Sequence, residues 1–245
     1  MITALDHLML RASFLDGAIG AYETLIGRRA QDGRFRLGNV GLTIEDEAAT
    51  AHLSAMVFAT NSLDKAAQRL ERRGVPGVRE GDHLVLTRTA THQVPMALVQ
   101  RKDDRAPSPL VGADEAASIT ALDHVVIRTP NPERAVAFYG GRLGLDLRLD
   151  RSNPQWNARL LFFRCGDLVV EIAHDLSKSI SDEPDQLWGL SWRTPDIARC
   201  HARLTKASVE LSTPRDGRRP GTQVFTVHSH TANVPTIIIG GLGRW

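Results

Sequence analysis

Cysteine is almost missing from this 245-residue chain: Cys165 and Cys200 are the only two, and they lie in unrelated segments outside any CxxC spacing. That excludes a disulfide framework and a structural zinc site, and it leaves two buried or half-buried thiols as the expectation. An excess of one charge is missing too. Thirty Lys and Arg against 28 Asp and Glu give a net charge of +2 with both signs interspersed, so no basic stripe speaks for nucleic acid or for an anionic membrane. Long apolar runs are absent. The first twenty residues are interrupted by Asp6, His7, Arg11 and Asp16, unlike the apolar core of a signal peptide, and no later stretch approaches a membrane span. A cytoplasmic location is expected. The 42% apolar and 24% charged composition is that of a globular protein, and the length suffices for two domains with full cores.

What the sequence does contain is a repeat. "ITALDHLMLR" at Ile2–Arg11 returns as "ITALDHVVIR" at Ile119–Arg128, 117 residues later. The match continues: "FLDGAIGAYETLIGR" from Phe14 runs beside "NPERAVAFYGGRLGL" from Asn131, with Tyr22 against Tyr139 and Gly27 against Gly144. Both read as amphipathic helices closed by a C-terminal glycine. Each is followed by alternating apolar segments around a two-residue turn, Gly38-Asn39 or Gly166-Asp167, which predicts tight hairpins. A strand, a helix and further strands then recur within each half, from Leu53 and from Leu187, and "TPD" at Thr194 echoes "TPN" at Thr129 before the helix. The chain therefore reads as four βαβββ modules in two pairs, an α+β fold. The predicted domains are residues 1–101 and 119–245, joined by a polar, proline-bearing linker at 102–118. One helix on a small sheet leaves a face uncovered, so paired modules are expected to join into curved mixed sheets with helices outside and a concave interior.

The paired modules, the "LDH" openings at Leu5–His7 and Leu122–His124, and "LVVEIAHD" at Leu168–Asp175 resemble the vicinal oxygen chelate superfamily. It includes glyoxalase I, extradiol dioxygenases, methylmalonyl-CoA epimerase and the fosfomycin and bleomycin resistance proteins. The resemblance covers nearly the whole chain and implies two glyoxalase-like domains with cup-shaped sheets. It also implies a divalent metal (Fe, Mn, Ni, Co or Zn) held by a His or Gln on a module's first strand and a Glu on its last. Carried over, the first-strand positions are His7, Ala55, His124 and Gly189, and the last-strand positions are Thr43, Ala97, Glu171 and Ile237. Only the third module keeps a His and a Glu together.

Strand alternation puts Leu168, Val170 and Ile172 on one face and Val169, Glu171 and Ala173 on the other, which aims Glu171 toward the concave side. His124 lies with Leu122 and Val126. Two protein ligands are fewer than an open Lewis-acid site normally has, so His228 is the candidate third ligand. The pair equally fits an imidazole and carboxylate bonded to one another, or a general acid and base acting without metal, with Glu171 as the candidate catalytic group. Trp188 and Trp192, at even spacing on one strand, and His7 are candidate pocket residues. The Arg-rich "STPRDGRRPGTQ" loop reads as a solvated hairpin that also offers Arg215, Arg218 or Arg219 to an anion.

Three functions follow from these readings. The first is a metal-dependent lyase, isomerase or dioxygenase acting on a small oxygenated organic substrate. The second is a metal-free small-molecule binding protein of the resistance type, and the third is a dimerisation module. The expected partner is a small molecule rather than nucleic acid or membrane, and pairing of modules across chains in the superfamily allows a homodimer.

Overall fold

The computed structural model describes residues 1–47, 50–101, 108–112 and 114–241, so residues 102–107 and 113 of the predicted linker lie outside the described residues. The four modules are present in the expected order. The first contains β1 (Ile2–Ala12), α1 (Leu15–Ile26), β2 (Arg34–Arg36) and β3 (Gly41–Asp46). In the second are β4 (His52–Thr60), α2 (Leu63–Arg72), β5 (Gly77–Glu80), β6 (His83–Leu86) and β7 (Met96–Gln100). The third holds β8 (Ala121–Arg128), α3 (Pro132–Ala135) running into a π-helical stretch at Val136–Arg142, β9 (Asp146–Asn153), β10 (Ala158–Cys165) and β11 (Leu168–Asp175). The fourth is β12 (Gln186–Arg193), α4 (Ile197–Lys206), β13 (Arg215–Asp216), β14 (Gln223–Val227) and β15 (Thr236–Gly240).

Each half supplies one mixed sheet, in the order β2-β3-β1-β4-β7-β6-β5 for the first and β13-β14-β15-β12-β8-β11-β10-β9 for the second. Parallel contacts, β4 with β7, β8 with β11 and β12 with β15, occur where a module's first strand meets its last. Both predicted hairpins form, with Arg36 opposite Gly41 and Cys165 opposite Leu168. The alternation is visible in burial: Leu42 and Ile44 are covered while Thr43 and Glu45 are half-exposed. Phe58 and Trp192, at corresponding places in modules two and four, are fully buried, the phenylalanine stabilising the core by about 1.5–3 kcal/mol.

Local chemistry sets the helix ends. Ser62, Asn131 and Asp196 cap α2, α3 and α4, each side chain accepting from the backbone N–H three residues on. The two matched glycines close the first helix of each half in the left-handed region, Gly27 at φ 76° and Gly144 at φ 79°. Each also leaves room for an arginine. A Cβ on Gly27 would lie 3.2 Å from the Arg203 guanidinium carbon, and one on Gly144 would lie 3.3 Å from an Arg73 nitrogen.

The chain folds into two compact units. One comprises Met1–His7, Ser54–Asp103 and His124–Trp188, and the other Leu8–Leu53, Asp104–Asp123 and Gly189–Trp245. Within the first, Arg73 donates to the carbonyls of Gly141 and Arg142 at the end of the π-helical stretch, and the Gly166 turn lies against Thr3 and Ala4 of β1. The second repeats the design. Arg203 donates to the carbonyls of Thr24 and Leu25 at the end of α1, and Asn39 pairs through its amide with both the N–H and the C=O of Leu122. Its part of the predicted linker is tied down as well: buried Arg28 donates to Ser108 O, Ile119 O and Glu115. Among the described residues no helix is long and apolar enough to cross a membrane.

Candidate functional site

The parallel register of β8 and β11 sets Val169 opposite His124, Glu171 opposite Val126 and Ala173 opposite Arg128. These six residues therefore share one face of the sheet. The other face carries Val125, Ile127, Val170 and Ile172, all fully buried. On the first face the His124 Nε2 lies 3.3 Å from Glu171 Oε2, with side-chain exposures of 17% and 11%. The pair read from the sequence is thus brought into contact, beside the side chains of Val126 and Val169 and of Phe162, which β10 places opposite Glu171. An imidazole and a carboxylate so placed can share a proton or present a donor and an acceptor to a ligand oxygen.

At the end of β8 the Arg128 guanidinium stacks on Trp188, 3.9 Å from the ring centroid. This contact was not read from the sequence, although the arginine stands in both copies of the repeated strand; what identifies it is the tryptophan contributed by β12. Trp192 differs from expectation. It is wholly buried and its indole N–H has no hydrogen-bond partner among the described residues, so it is core and not pocket lining. Even spacing fixes a side, but not how deeply that side is covered.

His228 also departs from its predicted role. It is exposed just after β14, where its backbone N–H donates to Glu210 O. Among the described residues no group of three His, Cys, Asp or Glu is arranged to hold a metal ion, and His228 belongs to a different compact unit from His124 and Glu171. Module two, which shares their unit, has Ala55 and Ala97 at the corresponding places, so His124 and Glu171 supply only two donors, fewer than the metal that the resemblance implies normally takes. His7 is held by Asp6, Nδ1 to Oδ2 at 2.8 Å, and meets His83 edge-on at 6.3 Å between ring centroids. The Arg-rich loop closes on itself, with Thr222 Oγ1 donating to Arg219 O and the Gly217 N–H to Thr222 O. Both thiols are free and buried; burial pushes Cys165 up to about 12 and raises Cys200 too, which makes them poor nucleophiles.

A second polar group lies in the same unit. Asp185, its side chain sealed from solvent, accepts from Thr129 Oγ1 and from Arg134 Nη2, each at 2.7 Å. Burial first, then the negative charge of Asp185, holds the Tyr139 hydroxyl well above its usual range, and nearby His92 is lowered mainly by desolvation. His174, on the face opposite Glu171 as alternation predicts, bonds the Thr129 carbonyl.

Residues 123–226 match the model of the Glyoxalase/Bleomycin resistance protein/Dioxygenase superfamily. No curated protein matches the chain in sequence. Among solved structures, a halotolerant catechol dioxygenase, BphC, superposes with a TM-score of 0.75 at 12% identity, covering 100% of this chain and 89% of that one. The Mn(II)-bound glyoxalase from Novosphingobium aromaticivorans gives 0.72 at 14% identity, with 99% and 83% covered. The 2,2',3-trihydroxybiphenyl 1,2-dioxygenase from dibenzofuran-degrading Sphingomonas wittichii strain RW1 gives 0.71 at 15% identity, with 98% and 91% covered.

Proposed function

We propose that this chain, whose residues 123–226 match the glyoxalase/bleomycin resistance protein/dioxygenase superfamily model and whose fold is similar to that of solved dioxygenase and glyoxalase structures, binds a small oxygenated organic molecule without a metal. One observation supports the reading above others: His124 and Glu171 touch one another at 3.3 Å on a largely apolar sheet face. They offer a ligand oxygen a donor and an acceptor, while the valines beside them take its carbon body. A metal-dependent lyase, isomerase or dioxygenase would need at least one further donor, and the donor set does not supply it. Proton transfer between the pair and a bound substrate is compatible with the same geometry.

The test combines metal loading with ligand-induced stabilisation. Untagged protein dialysed against Fe, Mn, Ni, Co or Zn should retain well under one equivalent by plasma mass spectrometry. A library of small hydroxy and keto compounds should contain members that raise its melting temperature; at 100 times Kd the stabilisation is about 2.7 kcal/mol. His124→Ala and Glu171→Ala should abolish that rise. Near-stoichiometric metal that disappears in the double variant would overturn the metal-free reading.

A further inference from the structure

We propose that Arg128, whose guanidinium sits over the Trp188 ring, is a carboxylate-recognition element, so that the molecule bound beside His124 and Glu171 is an organic acid. The inference rests on the small-molecule reading above and adds a charge to it. Three observations carry it.

First, Arg128 lies on the same face of β8 as His124, four residues further along. That separates their Cα atoms by roughly 13 Å, a span that the two side chains and a small acid between them can bridge. Second, the guanidinium is held but not neutralised. Its carbon lies 3.9 Å over the Trp188 ring centroid, a cation–π contact that leaves its N–H groups for an anionic acceptor, and no carboxylate pairs with it among the described residues. Third, the place where a neutralising carboxylate would stand holds Ala173, the register partner of Arg128. The repeat shows that such a residue is possible there. In the first half the matching arginine, Arg11, has Glu45 at the position matching Ala173, with Nε to Oε2 at 3.6 Å and Glu47 at 3.5 Å. Trp188 in turn corresponds to Ser54. The second half has thus lost the internal counter-ion and gained an aromatic platform at one spot.

The ligand class that satisfies both ends is a carboxylate bearing a hydroxyl or carbonyl oxygen several ångströms from the acid group. Matched pairs serve as probes: 4-hydroxybenzoate against 4-hydroxybenzamide, and 4-oxopentanoate against 4-oxopentanamide, followed by titration calorimetry and by quenching of Trp fluorescence with Trp188→Phe as the reference. Within at least one pair the acid should bind at least about tenfold more tightly than its amide, the scale of a lost charge-assisted contact. Arg128→Gln should erase the difference, and Ala173→Glu, which supplies the guanidinium with an internal partner, should erase it too. Equal affinity for acid and amide in the native protein, or a preference that survives Arg128→Gln, overturns the inference. If acids and amides bind alike and His124→Ala weakens both, the small-molecule reading stands and only the anion specificity falls. Saturable binding of none of the four probes counts against both.

Discussion

In the first half of the chain the inward carboxylate stands beside Arg11, and in the second it stands beside His124, although both strands open with the same Leu-Asp-His. Thr43 and Glu45 correspond to Glu171 and Ala173, so the acid has moved by two residues, one side-chain position along the same sheet face. The consequences are larger than the step. In the first half Arg11 is neutralised by Glu45 and Glu47, and His7 turns to its own neighbour Asp6. The second half has an imidazole–carboxylate pair and, further along, a cation that is held but not neutralised. One fold, written twice, makes a self-satisfied surface in one copy and a surface with unspent polar chemistry in the other.

Several substitutions would break or sharpen that contrast. The largest effect is expected at Asp185, whose buried pairing with Arg134 and Thr129 belongs to the second half alone, Thr129 being Ala12 in the first. Asp185→Ala removes the buried acceptor of Thr129 and of half-buried Arg134, which keeps only exposed Asp182 and the Glu183 carbonyl, and should cost about 1–3 kcal/mol in urea unfolding. Next comes exchange of the acid itself. Glu171→Thr with Ala173→Glu writes the first-half arrangement into the second, and it should abolish both ligand stabilisation and acid preference while keeping the far-ultraviolet circular dichroism of the native protein.

A smaller effect concerns His92, in a loop that the two halves share as T-H-Q-V-P and T-A-N-V-P, where His92 and Ala232 both have positive φ. Desolvation, then the charges of Arg134 and Arg142 against that of Asp185, lowers His92 from its usual 6.5 in the folded state. The unfolded chain therefore binds a proton that the folded chain resists. Its contribution to stability is full above about pH 6.5 and is lost as pH falls through that value toward the lower folded pKa. His92→Ala, the module-four residue, should flatten the pH dependence of the melting temperature in that window; an unchanged slope would rule His92 out as its source. The smallest change is expected from Glu45→Ala, which frees Arg11 at the cost of one exposed ion pair, about 0.2–1 kcal/mol at low salt and less at high salt.

The repeat made the fold legible, because four strand–helix openings with matching glycines and hairpin turns leave few architectures. Alternation was enough to aim Glu171 and His124 at the same side, since period-two geometry is local. Depth was not local. Trp188 and Trp192 have equal standing in the sequence, yet one is capped by an arginine from a neighbouring strand and the other is buried completely. The role of Arg128 was hidden for the same reason: its meaning lies in what Ala173 and Trp188 do around it, which depends on register between strands. The contacts of Asn39 with Leu122 and of Arg203 with the end of α1 join residues 83 and 178 or more apart in sequence, beyond any periodic signal.

Those distant contacts bear on how the protein is made. The unit that holds residues 8–53 also needs residues 189–245, so α1 emerges from the ribosome long before Arg203 exists to cap it. Synthesis must run at least to the end of β15 at Gly240 before that unit can close. Until then the nascent chain carries half-paired sheets with apolar faces uncovered, a state prone to association with other chains. Slow translation or chaperone cover across the middle of the message would protect it. Expression of either half alone should yield a sheet without its docking turn and helix cap.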